Sequence, residues 1–240
     1  MKIKITHLYP DLLDLYGDAG NIRCLVKRME WRGIEVEVVG HRIDSDRLDL
    51  SGTDILFLGG GSDREERLVI QKLSEEKEQL LLYINSDKVL LAVCGGYRLL
   101  GRYYTVNGEK TDGLGLVDFY TDDGEDRFTG NVIIDCDFAD SKVVGFENHS
   151  GRTYIGDYTP LGRVVLGNGN NGVDKTEGIV YKNVIGTYLY GPLLPKNPNL
   201  CDYINSNALK RKYADFDSLP VLDDTLENRA NEFMVKRYEK

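Results

Sequence analysis

The sequence predicts an α/β protein with a central, mostly parallel sheet, flanking helices and an added β-rich C-terminal half. Three observations carry this. Short apolar strands alternate with helical stretches over the first hundred residues, the pattern that generates a parallel sheet with helices on its faces. Val89 to Val93 is a continuous apolar run, as expected of a central strand buried on both faces. After Gly113 the chain changes to short strands separated by glycine and aspartate turns.

Lys2 to His7 reads as the first strand. Asn21 to Arg32 places Ile22, Leu25, Val26 and Met29 at helical spacing with Gly33 at the stop position, and Ile34 to Val39 returns as a strand. Asp54 to Leu58 is a third strand. Arg64 to Asn85 reads as one helix with Val69, Leu73, Leu80 and Ile84 on one face, and Val89 to Val93 follows as the fourth strand. Beyond it, Val117 to Tyr120, Asn131 to Cys136, Val143 to Phe146, Arg163 to Leu166 and Val184 to Leu189 read as strands. Asn168 to Gly172 is a tight turn and not a phosphate cradle, because no helix follows it. From Asn199 the chain is helical again, and Leu222, Leu226, Ala230 and Phe233 form a stripe by which a last helix is expected to pack on the body or on a partner.

Composition narrows the partners. The 240 residues are 41% hydrophobic and 29% charged, which suits one compact domain. Thirty Lys and Arg against 39 Asp and Glu leave a net charge of −9, so attraction to a nucleic-acid backbone is not expected. Cysteines at 24, 94, 136 and 201 form no C-x-x-C pair, and the three histidines are His7, His41 and His149; this argues against a zinc site, and no metal or cofactor is expected. No apolar run is long enough to cross a bilayer and the N-terminus lacks the apolar region of a signal peptide, so a cytoplasmic protein without a membrane anchor is expected.

The chemistry concentrates at Val89-Leu90-Leu91-Ala92-Val93-Cys94-Gly95-Gly96-Tyr97-Arg98, a strand-to-helix elbow with a cysteine at its apex. A thiol there meets backbone N–H groups and a helix N-terminus, both of which lower its pKa. The other reading is a buried cysteine that only packs. The third strand ends in Leu58-Gly59-Gly60-Gly61-Ser62-Asp63, on the same carboxyl edge where sites of open α/β sheets collect. A glycine loop there can aim an N–H at an oxyanion, complementing that of Gly95; alternatively it is simply flexible.

Together these residues resemble the class I glutamine amidotransferases. DLLDLYGDAGN (11–21), GGGSDRE (59–65), AVCGGYRLLG (92–101), RFTGN (127–131), GFENHSGRT (145–153) and GTYLYGPLLPKN (186–197) resemble the cobyric-acid-synthase-like subtype, and within it the small glutaminase subunits of lipid II isoglutaminyl synthases. The resemblance implies a class I glutamine amidotransferase-like, flavodoxin-like fold. It runs from about residue 5 to 213, so a single domain over 1–213 and a helical extension over 214–240 are expected.

What the resemblance implies for function is a division of labour. Cys94 attacks the side-chain amide of glutamine, Gly60 and Gly95 supply oxyanion N–H groups, Arg127 holds the α-carboxylate, and Asn148 and His149 shape the pocket. Read without the resemblance, Arg127 is a solvated turn arginine among acids, and His149 reads equally as a structural histidine. A MurT-like Mur-ligase partner uses ATP to activate D-glutamate of the stem peptide, and this chain has no G-x-x-x-x-G-K-[ST] sequence of its own.

One departure stands out. The family carries its catalytic histidine in T-Y-L-H-G-P, and here Tyr190 occupies that position. A phenol with a reference pKa of about 10 does not match imidazole as a general base at neutral pH. Three readings remain: an inactivated subunit that keeps fold and partner, a slow enzyme using Tyr190 or His149, or a natural pseudo-amidotransferase. A reading from other chemistry makes Cys94 a hydrolase or redox thiol, which leaves Arg127 and the ENH segment unexplained.

Overall fold

The computed structural model describes residues 1–15, 17–139 and 141–238; Tyr16 of the 11–21 segment, Asp140 and the last two residues of the C-terminal extension lie outside the described residues. In chain order the elements are β1 (Lys2–Leu8), α1 (Ala19–Glu30), β2 (Glu35–His41), β3 (Ile55–Leu58), α2 (Asp63–Glu75), α3 (Lys77–Asn85), β4 (Val89–Val93), α4 (Gly95–Leu99), β5 (Tyr103–Val106), β6 (Glu109–Asp112), β7 (Tyr120–Cys136), β8 (Ser141–Tyr154), β9 (Gly162–Leu166), β10 (Thr176–Glu177), β11 (Ile179–Tyr181), β12 (Val184–Thr187), α5 (Pro198–Lys212) and α6 (Thr225–Tyr238).

The first sheet runs β11-β12-β4-β3-β1-β2, with only β11 antiparallel. Read from its other edge, its five parallel strands follow the 2-1-3-4-5 order of flavodoxin-like sheets, whose ligands gather at the carboxyl ends beside the reversal of strand order. Residues along β3 and β4 alternate between two cores. Phe57, Leu91 and Val93 face α1 and α5, whereas Leu56, Leu58, Leu90 and Ala92 face α2 and α3. Each fully buried Leu, Val or Phe among them contributes roughly 1.5–3 kcal/mol, so the apolar runs that announced these strands are also what stabilises the sheet on both faces. Helix α1 buries Ile22, Leu25 and Met29 as its spacing predicts. It ends at Gly33, whose φ of +71° lets the Ile34 N–H reach back to the Met29 carbonyl.

The structure corrects several expectations. The helix expected over 64–85 is two, broken at Glu76, which leaves helical geometry with φ −106° and ψ +10°. Its carboxylate is drawn out of the helix to the Leu48 N–H and the Gln79 side chain. Val117–Tyr120 is mostly a loop, and the acidic stretch after it lies within the long strand β7, which pairs with β8 from Tyr120↔Tyr154 to Cys136↔Ser141 around an irregularity between Asp123 and Phe128. That irregularity carries Arg127. The hairpin β5–β6 turns at Asn107-Gly108, both at positive φ, as two-residue hairpin loops require.

The last helix packs on the body through a different face from that stripe. Leu226 and Phe233 are 75% and 64% exposed. Instead Val235 and Met234 pack on Ile133, Val144 and Leu166. On the same face Asn231 donates to the Lys142 and Lys196 carbonyls, and Tyr238 accepts from Asn131. Positions 231, 234, 235 and 238 share one face at helical spacing, but half of that face is polar, so apolar periodicity pointed elsewhere.

A buried guanidinium ties the C-terminal segment to the domain. Arg28 on α1 is 2% exposed and forks onto Asp202 of α5 and Asp224 just before α6, at 2.6–2.7 Å. Removing one partner of such a group leaves buried charge unmet. Arg28→Ala is therefore expected to cost about 3 kcal/mol, the low end of the range for broken buried pairs because Asp202 keeps Arg32. A fall in urea midpoint at unchanged slope measures it, and Arg28→Lys recovers only part because an ammonium cannot fork.

Candidate active site

The elbow after β4 is built by close backbone contact. Cys94 has φ +52° and ψ −113°, a conformation that costs a non-glycine residue about 1–3 kcal/mol and persists only where neighbours enforce it. The neighbours are explicit. A Cβ on Gly96 would lie 2.5 Å from the Leu58 carbonyl oxygen and 2.6 Å from that of Gly59, and one on Gly95 would lie 1.8 Å from Glu66 Oε1. The Cys94 N–H donates to the Thr187 carbonyl at 2.8 Å, fixing the elbow to β12.

A cavity of about 230 Å³ opens over Cys94 and is lined also by Gly95, Glu66, Arg98, Arg127, Asn148 and His149. Of the residues singled out from the sequence, Cys94, Gly95, Arg127, Asn148 and His149 thus meet in one place. Arg127 Nη1 donates to the backbone and side-chain oxygens of Asn148 at 3.0 and 2.8 Å, which orients the guanidinium along the cavity wall. Gly60 stands directly behind the thiol, where an added Cβ would be 3.1 Å from Cys94 Cβ.

Two expectations are corrected here. The Gly60 N–H donates to Asp18 Oδ2 at 3.0 Å, so it is not directed at an oxyanion, whereas the Gly95 N–H lies close enough to the Cys94 sulfur to favour its ionised form. And the elbow does not lower the Cys94 thiol. Burial first, then the negative charge of Glu66, pushes it up to about 12, against the smaller opposing pull of Arg98. Helix α4 has five residues, too few for its dipole to overcome desolvation.

Tyr190 is 7% exposed, bridges to β8 through its N–H and the Phe146 carbonyl at 3.1 Å, and packs edge-on against the Phe146 ring. Burial raises its phenol above the usual value and the nearby Cys94 adds to this, while Asn148 and Arg127 pull the other way. It is a hydroxyl donor within electrostatic reach of the thiol, not a base.

His149 is held in place by groups of its own strand. Its Nδ1 lies 2.8 Å from the Gly151 carbonyl, which only accepts, so that nitrogen carries a proton. Its Nε2 faces Glu147 at 3.7 Å, and the ring lies flat on Tyr188 with centroids 3.7 Å apart. Both nitrogens thus face groups of its own strand β8, Gly151 and Glu147, and the ring lines the cavity.

Three charged residues escaped sequence reading. Glu66 is 2% exposed and receives Arg98 Nε at 2.7 Å, and Arg98 also pairs with Asp63. Asp18 is 1% exposed. The neighbouring capping box of Ser62 and Glu65 marks the start of α2 and was legible, but nothing local says that the next carboxylate turns inward.

The thiol at the elbow after the fourth strand of a flavodoxin-order sheet places the chain in the class I glutamine amidotransferase fold. A solved crystal structure of a glutamine amidotransferase shares this fold, with a TM-score of 0.59 at 15% identity over 85% of this chain and 98% of the other. The CobB/CobQ-like glutamine amidotransferase domain matches residues 4–198, and the chain belongs to that family. It is 43% identical over 237 residues, 98% of this chain and 96% of the relative, to the lipid II isoglutaminyl synthase (glutamine-hydrolyzing) subunit GatD of Staphylococcus aureus (strain N315). To the subunit of the same name from Streptococcus pneumoniae (strain ATCC BAA-255 / R6) it is 42% identical over 228 residues, 94% of this chain and 87% of the relative. The family and fold read from the motifs are borne out.

The raised thiol has a measurable consequence. At neutral pH iodoacetamide is expected to label Cys94 more slowly than the part-exposed Cys24, whose thiol is lowered by its contact with Cys201. Glu66→Gln removes the second-largest cause and is expected to accelerate Cys94 labelling severalfold, followed by peptide mass mapping; an unchanged rate would assign the suppression to burial alone.

Proposed function

We propose that the chain is the glutaminase subunit of a lipid II isoglutaminyl synthase, releasing ammonia from glutamine for ATP-dependent amidation of D-glutamate to D-isoglutamine in the stem peptide by a Mur-ligase-like partner. The observation that carries this reading is the shared cavity. Cys94 at the elbow and the Arg127 guanidinium line one small space, suited to a free amino acid whose α-carboxylate meets a fork and whose amide meets a nucleophile. The names of the two relatives support the choice of pathway.

In this reading Cys94 Sγ bonds to the side-chain carbonyl carbon of glutamine, the tetrahedral oxyanion forms, and the C–N bond breaks. The leaving nitrogen takes a proton and departs as ammonia; the γ-glutamyl thioester is then opened by water, which returns the proton to sulfur and releases glutamate. Gly95 faces the oxyanion, Gly60 joins it once its N–H is freed, and Asn148 and His149 set the pocket walls. Tyr190 stands where the proton carrier belongs. As a neutral hydroxyl it can pass a proton between sulfur and nitrogen, but it cannot hold the thiolate in readiness as imidazole does.

The raised Cys94 and Tyr190 pKa values favour a second reading beside the first, a catalytically impaired subunit that supports its ligase structurally. Glutamine hydrolysis by the purified chain, alone and with its ligase partner, separates the two. The first reading expects slow turnover that Cys94→Ala abolishes. Tyr190→His is expected to raise it by about 10²-fold or more, the scale of general acid–base catalysis. Wild type and Cys94→Ala equally silent, with Tyr190→His active, would establish the second.

A further inference from the structure

The Gly60 peptide is gripped from both sides by the segment that leads into α1. Its N–H donates to Asp18 Oδ2 at 3.0 Å, and its carbonyl accepts from the Leu15 N–H at 3.3 Å. Asp18 is 1% exposed, and its other oxygen, Oδ1, has no hydrogen-bond partner among the described residues. A buried carboxylate with one oxygen unmet costs free energy, so its presence calls for a role beyond packing. Gly59 leaves no slack in the arrangement, since a Cβ there would lie 2.8 Å from Asp18 Oδ2 and 2.2 Å from the Leu13 carbonyl oxygen.

The same glycine touches the nucleophile. A Cβ on Gly60 would stand 3.6 Å from Cys94 Sγ and 3.2 Å from the Gly95 nitrogen, which places the Gly60 peptide beside the N–H that faces the sulfur. Turned toward Cys94, the two amides would form a paired donor site. As the chain rests, one of the two is committed to a carboxylate.

We propose that Asp18 is a positioning residue that holds the Gly60 N–H out of the oxyanion hole, so that the hole is complete only when this hydrogen bond is released. The proposal rests on the Cys94 glutaminase reading and adds a point of control to it. Burial pushes the Asp18 carboxyl up to about 7 and Asp14 adds to this, against the hydrogen bond from Gly60. The groups that face it are Asp14 from its own loop, the Gly60 N–H from the loop after β3, and Cys94 at the end of β4. A proton on Asp18 replaces a charged acceptor with a neutral one, whose hydrogen bonds are roughly half as strong.

Glutamate γ-semialdehyde, the aldehyde counterpart of glutamine, tests this without requiring turnover. Cys94 sulfur bonds to the aldehyde carbon, the carbonyl π pair moves to oxygen, and the thiol proton ends on that oxygen, so nothing leaves and no base need be regenerated. Because the free aldehyde closes onto its own amine, with loss of water, to an extent that varies with pH, affinities are compared between forms of the chain at each pH, where that closure cancels; relative to Asp18→Asn, wild type is expected to gain affinity as pH falls from about 8 to about 6, through the Asp18 value. Asp18→Asn and Asp18→Ala are expected to bind the aldehyde on the order of tenfold more tightly than wild type at the upper pH, an advantage that shrinks toward the lower pH, as for one charge-assisted hydrogen bond no longer opposing the adduct. In the ¹⁵N-glycine-labelled chain, the Gly60 amide is expected to shift with pH in wild type and to lose that dependence in Asp18→Asn. Variants that keep the wild-type circular dichroism and urea midpoint yet bind the aldehyde no more tightly would overturn the proposal. If the aldehyde adds to no form of the chain, the Cys94 reading falls, and the amide data alone judge the clamp: a Gly60 resonance indifferent to Asp18→Asn rejects it.

Discussion

The site depends on one contact, the meeting of the glycine loop after β3 with the elbow after β4. Leu58 and Gly59 carbonyl oxygens lie where any side chain on Gly96 would have to go, and Gly60 lies against Cys94. Two backbones this close leave room for neither chain to relax, which is how Cys94 is kept at positive φ with its sulfur toward the cavity. The parallel register of β3 and β4, Leu58 opposite Ala92, brings the two loops to the same height. Sheet register therefore sets the position of the nucleophile, and the apolar alternation that specifies register sets it in turn.

The same closeness determines the electrostatics. Packing Gly95 against Glu66 brings a buried carboxylate next to the thiol, and Asp18 is close enough to add its own charge. Arg98 offsets part of this: its guanidinium is shared between Glu66 and Asp63 while also stacking over Tyr104 at 5.0 Å. An elbow cysteine is usually read as activated because a helix begins there. Here desolvation and two acids outweigh five residues of helix, so the resting group is a thiol.

The sequence made legible whatever rested on short-range pattern. The strands β1, β3 and β4, helix α1 and the elbow follow from apolar runs and glycine placement, whereas Arg127, Asn148 and His149 entered only through the resemblance of their segments to a family. What stayed hidden depends on partners far along the chain. Asp18 meets Gly60 42 residues away, and Glu66 meets Arg98 32 residues away, so no window around either carboxylate shows why it is buried. The face of α6 was hidden for another reason: Asn231 and Tyr238 pack inward through hydrogen bonds, and a hydropathy stripe does not record those. Gly60 lies against the thiol, yet the direction of its N–H is a property of the peptide plane that a motif does not carry.

Tyr190 is tolerated because the scaffold around it is made by other groups. Its N–H pairs with the Phe146 carbonyl, an interaction indifferent to the side chain. Just before it, buried Glu177 receives the Thr187 hydroxyl at 3.0 Å and the Tyr188 N–H at 2.7 Å. Just after it, Pro192 packs on Gly20, and the Leu194 N–H is taken by Asn21. The backbone at 190 is thus held from both sides by bonds that do not involve its side chain, so the architecture here does not depend on which residue occupies the position.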